Sequence, residues 1–346
     1  MPALPHAAPA TLHDVAREAG VSLATASRSL NGSARKVNDD YRQRVLAAAA
    51  RLNYSPNFSA QAIAKGSTST VALVVSDIAD PYFSSIAAGV IRAAEAEGLI
   101  VTMAVTERNP GRELELVRAL RGQRPRVMIL TGSRSVDSEH QAALIAELTA
   151  FTATGGRVVL ISQEGLPFDT VVVDNYLGAR ALANDLVDQG YRTFAALTGA
   201  ETLVTSRDRL AGFADGLAEH GIAIHPDRVV RGEFTRDGGF AAATELLATG
   251  LEQVDLVFAV NDVMAIGAMS ALREAGIDVP GDIAVAGFDD IDTARDVTPA
   301  LTTVNIPLVD VGRQAVALAL SDTARTGDEA VRVATRVILR ASSPAR

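Results

Sequence analysis

The chain has 346 residues, 48% of them hydrophobic, which suffices for sizeable cores in two or three domains. It has no cysteine, which excludes disulfides and cysteine zinc sites and fits a reducing cytoplasm. No apolar run approaches the ~18 residues of a membrane span, and the net charge of −9 is uneven, residues 1–66 holding eight basic side chains against four acidic ones.

Residues 1–10 carry no basic charge and no long apolar stretch, so they read as a frayed tail rather than a secretory signal. Residues 11–56 read as a small all-α head. Thr11 followed by Asp14 resembles a capping box, Val15, Ala16 and Ala19 share one face, and Gly20 ends the helix in a left-handed cap. Ser22 caps a second helix that carries Ala26 and Leu30 inward. Asn38 caps a third, with Val45, Leu46, Ala49 and Leu52 expected to face the core. Residues 57–69 begin near a proline and end in Gly/Ser/Thr, as a linker does. Within them NFSAQAIAK has room for two helical turns, too few to be stable alone in water.

After residue 70 the pattern changes. VALVV, LIVTMAV, RVMIL, RVVLI, TFAALTG, DLVFAV and DIAVAGF are short apolar runs separated by amphipathic helical stretches. Continuous apolar strands alternating with helices predict parallel sheets covered on both faces. The predicted architecture is an all-α helix-turn-helix head plus an α/β two-lobed body of two doubly wound parallel sheets. The expected N-lobe is residues 70–173 with 302–323, and the expected C-lobe is 174–301 with 324–346. The final run, VRVATRVIL, is placed in the C-lobe.

The head has the layout of a helix that ends at glycine, a tight turn, and a second helix that starts at a serine. The second helix of such a pair reads bases in the major groove with its N-terminal residues. Here those are Leu23 and Ala24, apolar and suited to thymine methyls, and Arg28, suited to a bidentate bond to guanine. Ser22, Thr25, Ser27 and Asn31 are short polar groups suited to phosphates. The basic head on an acidic body points the same way. A small bundle used for protein contacts is the other reading open at this point.

The stretch T-L-x-D-V-A-x-x-A-G-V-S-x-x-T-x-S-R-x-L-N closely resembles the N-terminal domain of the lactose-repressor (LacI/GalR) family of bacterial transcription regulators. The body continues the resemblance with DPYFSSIAAGV, VDNYLGARALANDLVDQGYRTFAALTG, SRDRLAGFADGL, FAVNDVMAIGAMSALREAGIDVPGDIAVAGFDDI and PALTTVNIP, in the family's order from about residue 11 to 340. The resemblance implies a homodimer, sometimes a tetramer, on a pseudo-palindromic DNA operator. It also implies a periplasmic-binding-protein-like body and a hinge helix that orders on operator. Asn57 to Ala64 match that hinge helix, and Ile63 stands where the family usually has a leucine wedge for the minor groove. One residue is inserted in NGSARKV, between the second and third helices.

For the effector, Phe83, Arg209, Phe234, Asn261 and Asp289 all follow predicted strands and match family positions that line the cleft between lobes. Amide and charged groups beside an aromatic face suit a polyhydroxyl ring. Taken singly, Arg209 has Asp208 and Asp215 as alternative partners, the two phenylalanines have the core, and Asp289 has a turn to cap. Ser162 and Gln163 depart from sugar-responsive relatives, many of which have an acid at the first of these positions.

A dehydrogenase is disfavoured: no G-x-G-x-x-G follows a predicted strand, and the only two lysines, Lys36 and Lys65, lie outside the body. The five histidines have no metal spacing, and neither a metal nor a cofactor is implied. A sugar-binding transport protein shares the body's shape but not the DNA-binding head. The expected protein is a cytoplasmic, nucleoid-associated regulator, not an enzyme and not membrane-bound, most often a repressor, answering to a carbohydrate-like effector. A nucleobase or nucleoside effector, or a phosphoprotein corepressor, is the alternative. No leucine-heptad tail follows residue 340, which favours a dimer over a tetramer.

Overall fold

The computed structural model describes residues 10–31, 37–55, 68–134, 138–251, 253–321 and 330–346. The chain divides into two units at Thr68 and Ser69. In the first, α1 spans Leu12–Ala19, α2 Leu23–Asn31 and α3 Asp39–Arg51. The capping box forms in both directions: Asp14 N donates to Thr11 Oγ1 (3.3 Å) and Thr11 N to Asp14 Oδ2 (3.0 Å). Gly20 closes α1 at φ +61°, where a side chain would be strained. Val15, Ala16, Ala19, Ala26, Val45, Ala48 and Ala49 make the core of this unit. Leu46 does not face it as expected: it is 42% exposed. Positions 45, 48, 49 and 52 share one stripe of a helix with ~3.6 residues per turn, and position 46 lies ~100° round from it.

The second unit opens with β1 (Thr70–Val75), α4 (Pro81–Ala96), β2 (Ile100–Val105), α5 (Pro110–Gly122), β3 (Val127–Thr131), α6 (Ser138–Thr152), β4 (Arg157–Ser162) and β5 (Asp169–Val173). These strands pair in parallel in the order β2-β1-β3-β4-β5. Side chains alternate across the sheet. Val71, Leu73 and Val75 share a core with Ile86 and Val90 of α4, whereas Ala72 and Val74 meet Leu114 and Val117 of α5 and Leu148 of α6. Both faces are therefore dry along β1, β3 and β4, which read as unbroken apolar runs, while β2 at the edge leaves Ile100 and Met103 exposed.

The chain then crosses to a second lobe: α7 (Asn175–Asp188), β6 (Phe194–Thr198), α8 (Val204–Ala218), β7 (Val229–Arg231), α9 (Arg236–Thr249), β8 (Leu256–Ala259), α10 (Asp262–Glu274), β9 (Ala284–Ala286) and the short α11 (Thr293–Asp296). Its sheet is parallel in the order β7-β6-β8-β9. After β10 (Thr303–Asn305) the chain returns as α12 (Leu308–Leu320), which packs on α4 and on β4 and β5.

The expected lobe boundaries need two corrections. Thr302 bridges to Ala286 and Asn305 to Asp289, so β10 belongs beside the C-lobe rather than with 302–323 in the N-lobe. The run VRVATRVIL, expected wholly in the C-lobe, breaks in two. β11 (Ala330–Val333) pairs in parallel with β5 at the edge of the N-lobe sheet, and β12 (Arg336–Ile338) pairs antiparallel with β10. β11 covers the otherwise open edge of β5, and residues 334–335 cross between lobes. The last residues stay with the C-lobe, Val285 N donating to Ser342 O (3.1 Å) and Arg346 N to Gln189 O (2.8 Å).

α4 and α12 touch backbone to backbone. A Cβ on Gly89 would lie 2.1 Å from Val309 O, and one on Gly312 would lie 2.2 Å from Ile86 O. Neither obstacle is a flexible side chain, so the helices must separate to admit a methyl group. Gly89→Ala is expected to cost about 3 kcal/mol, at the upper end of overpacking penalties, read as a lowered urea midpoint with unchanged m-value.

Candidate functional site

In the head, local chemistry positions the candidate DNA-reading face. Gly20 N–H bonds back to Ala16 and Arg17 carbonyls, and Val21 N donates to Ala16 O (3.0 Å), which turns the chain sharply. Ser22 then caps α2 by accepting from Thr25 N (3.1 Å), and its hydroxyl is also paired with that of Thr25 (2.8 Å). Ser22, Leu23, Ala24 and Arg28 are exposed, while Thr25 and Ser27 are half-buried at its border. Leu23 is 40% exposed, so its side chain is free to meet a partner. Arg28 makes no ion pair among the described residues. Nothing is described of the Asn31 side chain, and Asn57 and Ile63 lie outside the described residues.

In the body, the strands of both lobes point their carboxyl ends at one cleft. A pocket there is lined by Phe83, Ser162, Gln163, Arg209, Phe234 and Asp289, all expected from the sequence. Asn261, also expected there, does not line it. Its side chain is 1% exposed and caps α10, accepting from Met264 N (2.9 Å). A residue at a strand's end that also begins a helix serves the cap first, because helix N–H groups left without partners are costly when buried.

Arg209 is the centre of the cleft's polar wall. Its Nε donates to Asn175 Oδ1 (2.8 Å), its Nη1 to Val260 O (2.8 Å), and its guanidinium lies 4.0 Å from the centre of the Phe288 ring. Nη2 stands 2.8 Å from Asp289 Oδ1, an ionic contact off hydrogen-bond alignment, so that oxygen keeps an unused acceptor position. Burial pushes the Asp289 carboxyl up from its ordinary range, and the Arg209 charge opposes that push. Asp289 also sits at φ +123°, a strained conformation for a non-glycine residue. The alternative partners weighed for Arg209, Asp208 and Asp215, are not used. Asp215 instead accepts from the Tyr176 hydroxyl (2.7 Å).

Ser162 and Gln163 take up lobe-to-lobe and loop contacts. Ser162 Oγ donates to Gly132 O (2.9 Å), and Gln163 Nε2 donates across the cleft to Thr205 Oγ1 (2.5 Å). Thr205 N in turn donates to Ser133 Oγ (3.1 Å). Gln163 Oε1 also accepts from Arg134 N (3.1 Å), so the amide both donates and accepts here.

Several lining residues were not expected. Asp80 caps α4 by accepting from Tyr82 N (3.0 Å) and also accepts from Arg108 Nη2 (2.9 Å). Burial pushes the Asp80 carboxyl up, against the lowering effects of the Tyr82 amide and Arg108. The Arg108 guanidinium stands 5.5 Å from the Phe83 ring and 5.7 Å from the Phe234 ring, so a cation bridges the two aromatic walls. Its signal in the sequence was faint: a basic residue in the turn between a strand's carboxyl end and an Asn-Pro helix start. No group of three or more acidic or histidine side chains among the described residues is placed to hold a metal ion. No helix among them is long and apolar enough to cross a membrane.

The arrangement defines a class: a helix-turn-helix head joined to a two-lobed body whose ligand cleft lies between parallel sheets. Residues 11–57 match the family described as bacterial regulatory proteins, lacI family, and residues 183–343 match the periplasmic binding protein-like domain. The chain is 36% identical over 314 residues to the HTH-type transcriptional regulator GalR of Escherichia coli (strain K12), covering 90% of this chain and 89% of that protein. It is 31% identical over 316 residues to the transcriptional repressor CytR of the same strain, with 90% and 89% covered. The lac repressor dimer bound to operator and the anti-inducer ONPF is similar in structure, with a TM-score of 0.83 at 27% identity over 98% of this chain and 100% of that one. A CelR–cellobiose complex aligns at a TM-score of 0.69 and 31% identity, over 96% and 99%. The chain belongs to the LacI/GalR family of transcriptional regulators.

Proposed function

We propose that this regulator is a cytoplasmic homodimeric repressor whose grip on a pseudo-palindromic operator is set by a carbohydrate-like effector held between the lobes. The observation that carries the reading is the cleft itself: two aromatic side chains, Phe83 and Phe234, line it together with a buried Arg209–Asp289 pair. Rings stack on the apolar CH faces of a sugar, and a carboxylate–guanidinium pair takes vicinal hydroxyls. Effector and operator control each other because closure of the lobes and spacing of the two heads form one equilibrium. The head's exposed Leu23, Ala24 and Arg28 supply base contacts, and Ser22, Thr25, Ser27 and Asn31 supply phosphate contacts. Asn57 and Ile63 supply the hinge and its minor-groove wedge.

The test is a thermal-shift screen of the full chain against hexoses, pentoses, polyols, sugar phosphates and nucleosides. A ligand that binds only the folded state raises the melting temperature by mass action. A sugar is expected to raise it by several degrees at millimolar concentration, and Phe234→Ala is expected to weaken that sugar's binding at least tenfold. A shift with nucleosides alone would favour a stacked base between the same two rings. The absence of any shift would favour a phosphoprotein corepressor.

A further inference from the structure

Asp289 lines the cleft, but its neighbour Asp290 does not. The two are consecutive non-glycine residues with positive φ, +123° and +55°, just beyond β9. Such backbone is costly and persists only where its surroundings over-determine it. Here the three N–H groups of residues 289–291 are all held. Asp289 N donates to Val304 O (2.9 Å), Asp290 N to Thr303 Oγ1 (3.3 Å) and Ile291 N to Asp262 Oδ2 (3.0 Å). The Asp290 carboxylate anchors the turn from the side, accepting from Asn305 Nδ2 (2.9 Å) on one oxygen and from Arg340 Nη2 on the other.

Arg340 belongs to the last segment of the chain and does not line the cleft. That segment is stitched between β9 and β10. Arg340 N donates to Thr302 Oγ1 (2.7 Å), and its Nη1 donates to the Leu301 carbonyl (2.8 Å). Two residues on, Ser342 Oγ accepts from Thr302 N (2.8 Å) and donates to Val285 O (2.6 Å). The Arg340 and Asp290 side chains are 15% and 5% exposed, so water screens their attraction little. Three carboxylates and two guanidiniums meet at this turn. Arg209 faces Asp289, and Arg340 faces Asp290. Asp262 makes no ion pair among the described residues, its oxygens accepting from the Thr303 hydroxyl (2.6 Å) and from Ile291 N. Burial pushes the Asp262 and Asp289 carboxyls up. The charge of Asp290 pushes Asp262 the same way, as those of Asp262 and Asp80 do Asp289, while Arg209 opposes. Tyr82 of α4 is the remaining titratable neighbour of Asp289.

We infer that Arg340, from outside the cleft, is a positioning residue for the effector site: through Asp290 it holds the strained turn that presents the Asp289 carboxylate to the pocket. This rests on the sugar reading of the cleft proposed above. An ionised carboxylate accepts from sugar hydroxyls more strongly than a protonated one, so effector affinity rises with pH as the cluster loses its proton. Without the Arg340 charge, Asp290 repels Asp262, and Asp262 repels Asp289, with less to oppose them. The turn loosens and the proton is held to higher pH. Without the Asp290 charge the shift is the other way. A segment that served only to support the fold would move the pH dependence in neither direction.

Isothermal titration calorimetry on the full chain, from about pH 6 to about pH 9, tests this with D-glucose, D-galactose, D-fructose, D-ribose, maltose and lactose as probes. For the sugar that the wild type binds most tightly, Arg340→Gln is expected to weaken binding about tenfold at neutral pH. It is also expected to raise the pH of half-maximal affinity by about half a unit or more. Arg340→Lys is expected to restore that pH, because it returns the charge. It is not expected to restore the full affinity, because an ammonium cannot serve Asp290 and the Leu301 carbonyl in the same fork. Asp290→Asn keeps an acceptor for Arg340 and is expected to lower the pH of half-maximal affinity, and it carries the test if Arg340→Gln does not fold. Unchanged affinity in Arg340→Gln, or a loss of affinity with the pH dependence unmoved in both variants, would overturn the inference and leave the sugar reading standing. Absence of binding by all six sugars at millimolar concentration would overturn both.

Discussion

Replacing Arg209 with alanine is expected to destabilise the body by about 3–5 kcal/mol, the range found when one member of a buried ion pair is removed. The side chain is 2% exposed and serves four groups at once: Asp289, Asn175, the Val260 carbonyl and the Phe288 ring. Alanine leaves the Asp289 carboxylate buried beside Asp262, with no counter-charge. Lysine is not expected to rescue the site. A point ammonium on a flexible stem cannot reach Asn175, Val260 and Asp289 together, and it loses the flat stacking on Phe288. Asp289→Asn in the alanine background is expected to recover part of the loss, because it removes the stranded charge. The measurement is urea unfolding followed by circular dichroism for the four members of the cycle. A loss below about 1 kcal/mol for Arg209→Ala, or no recovery in the double variant, would mean that the ion pair is not what holds this wall.

How far the sequence discloses this molecule depends on the range of the forces involved. Thr11, Asp14, Gly20 and Ser22 were legible because caps are satisfied within three residues of themselves. The unbroken apolar strands were legible because a sheet buried on both faces leaves no polar positions. β11 was misplaced because a four-residue strand carries no mark of which sheet edge it will join. That is settled by the open edge of β5, about 160 residues earlier in the chain. Asn261 shows a related limit: the same spacing after a strand fits a cleft residue and a helix cap, and in the fold its Oδ1 accepts from Met264 N. Arg108 escaped notice because its role depends on two consecutive left-handed residues in a turn without glycine, a conformation that the residue types do not announce.

The second large effect is expected at Arg28, and it concerns DNA rather than stability. Arg28 is exposed on α2, one turn beyond the helix start, and makes no ion pair among the described residues. Its removal should therefore leave the fold unchanged. A bidentate bond to guanine discriminates by ~1–3 kcal/mol. On the homodimer and pseudo-palindromic operator proposed above it is lost twice, so Arg28→Ala is expected to weaken operator binding by ~2–6 kcal/mol, or roughly 30-fold to 10⁴-fold. Selection from randomised duplexes should then show one base pair in each half-site that the wild type specifies and the variant does not. The salt dependence decides between base and phosphate contact. A base contact leaves the slope of log K against log salt nearly unchanged, whereas a phosphate contact lowers its magnitude by about one per subunit. Uniform weakening on all sequences with a shallower slope would make Arg28 a positioning contact. Base reading would then fall to Leu23 and Ala24, whose only available language is apolar contact with thymine methyl groups.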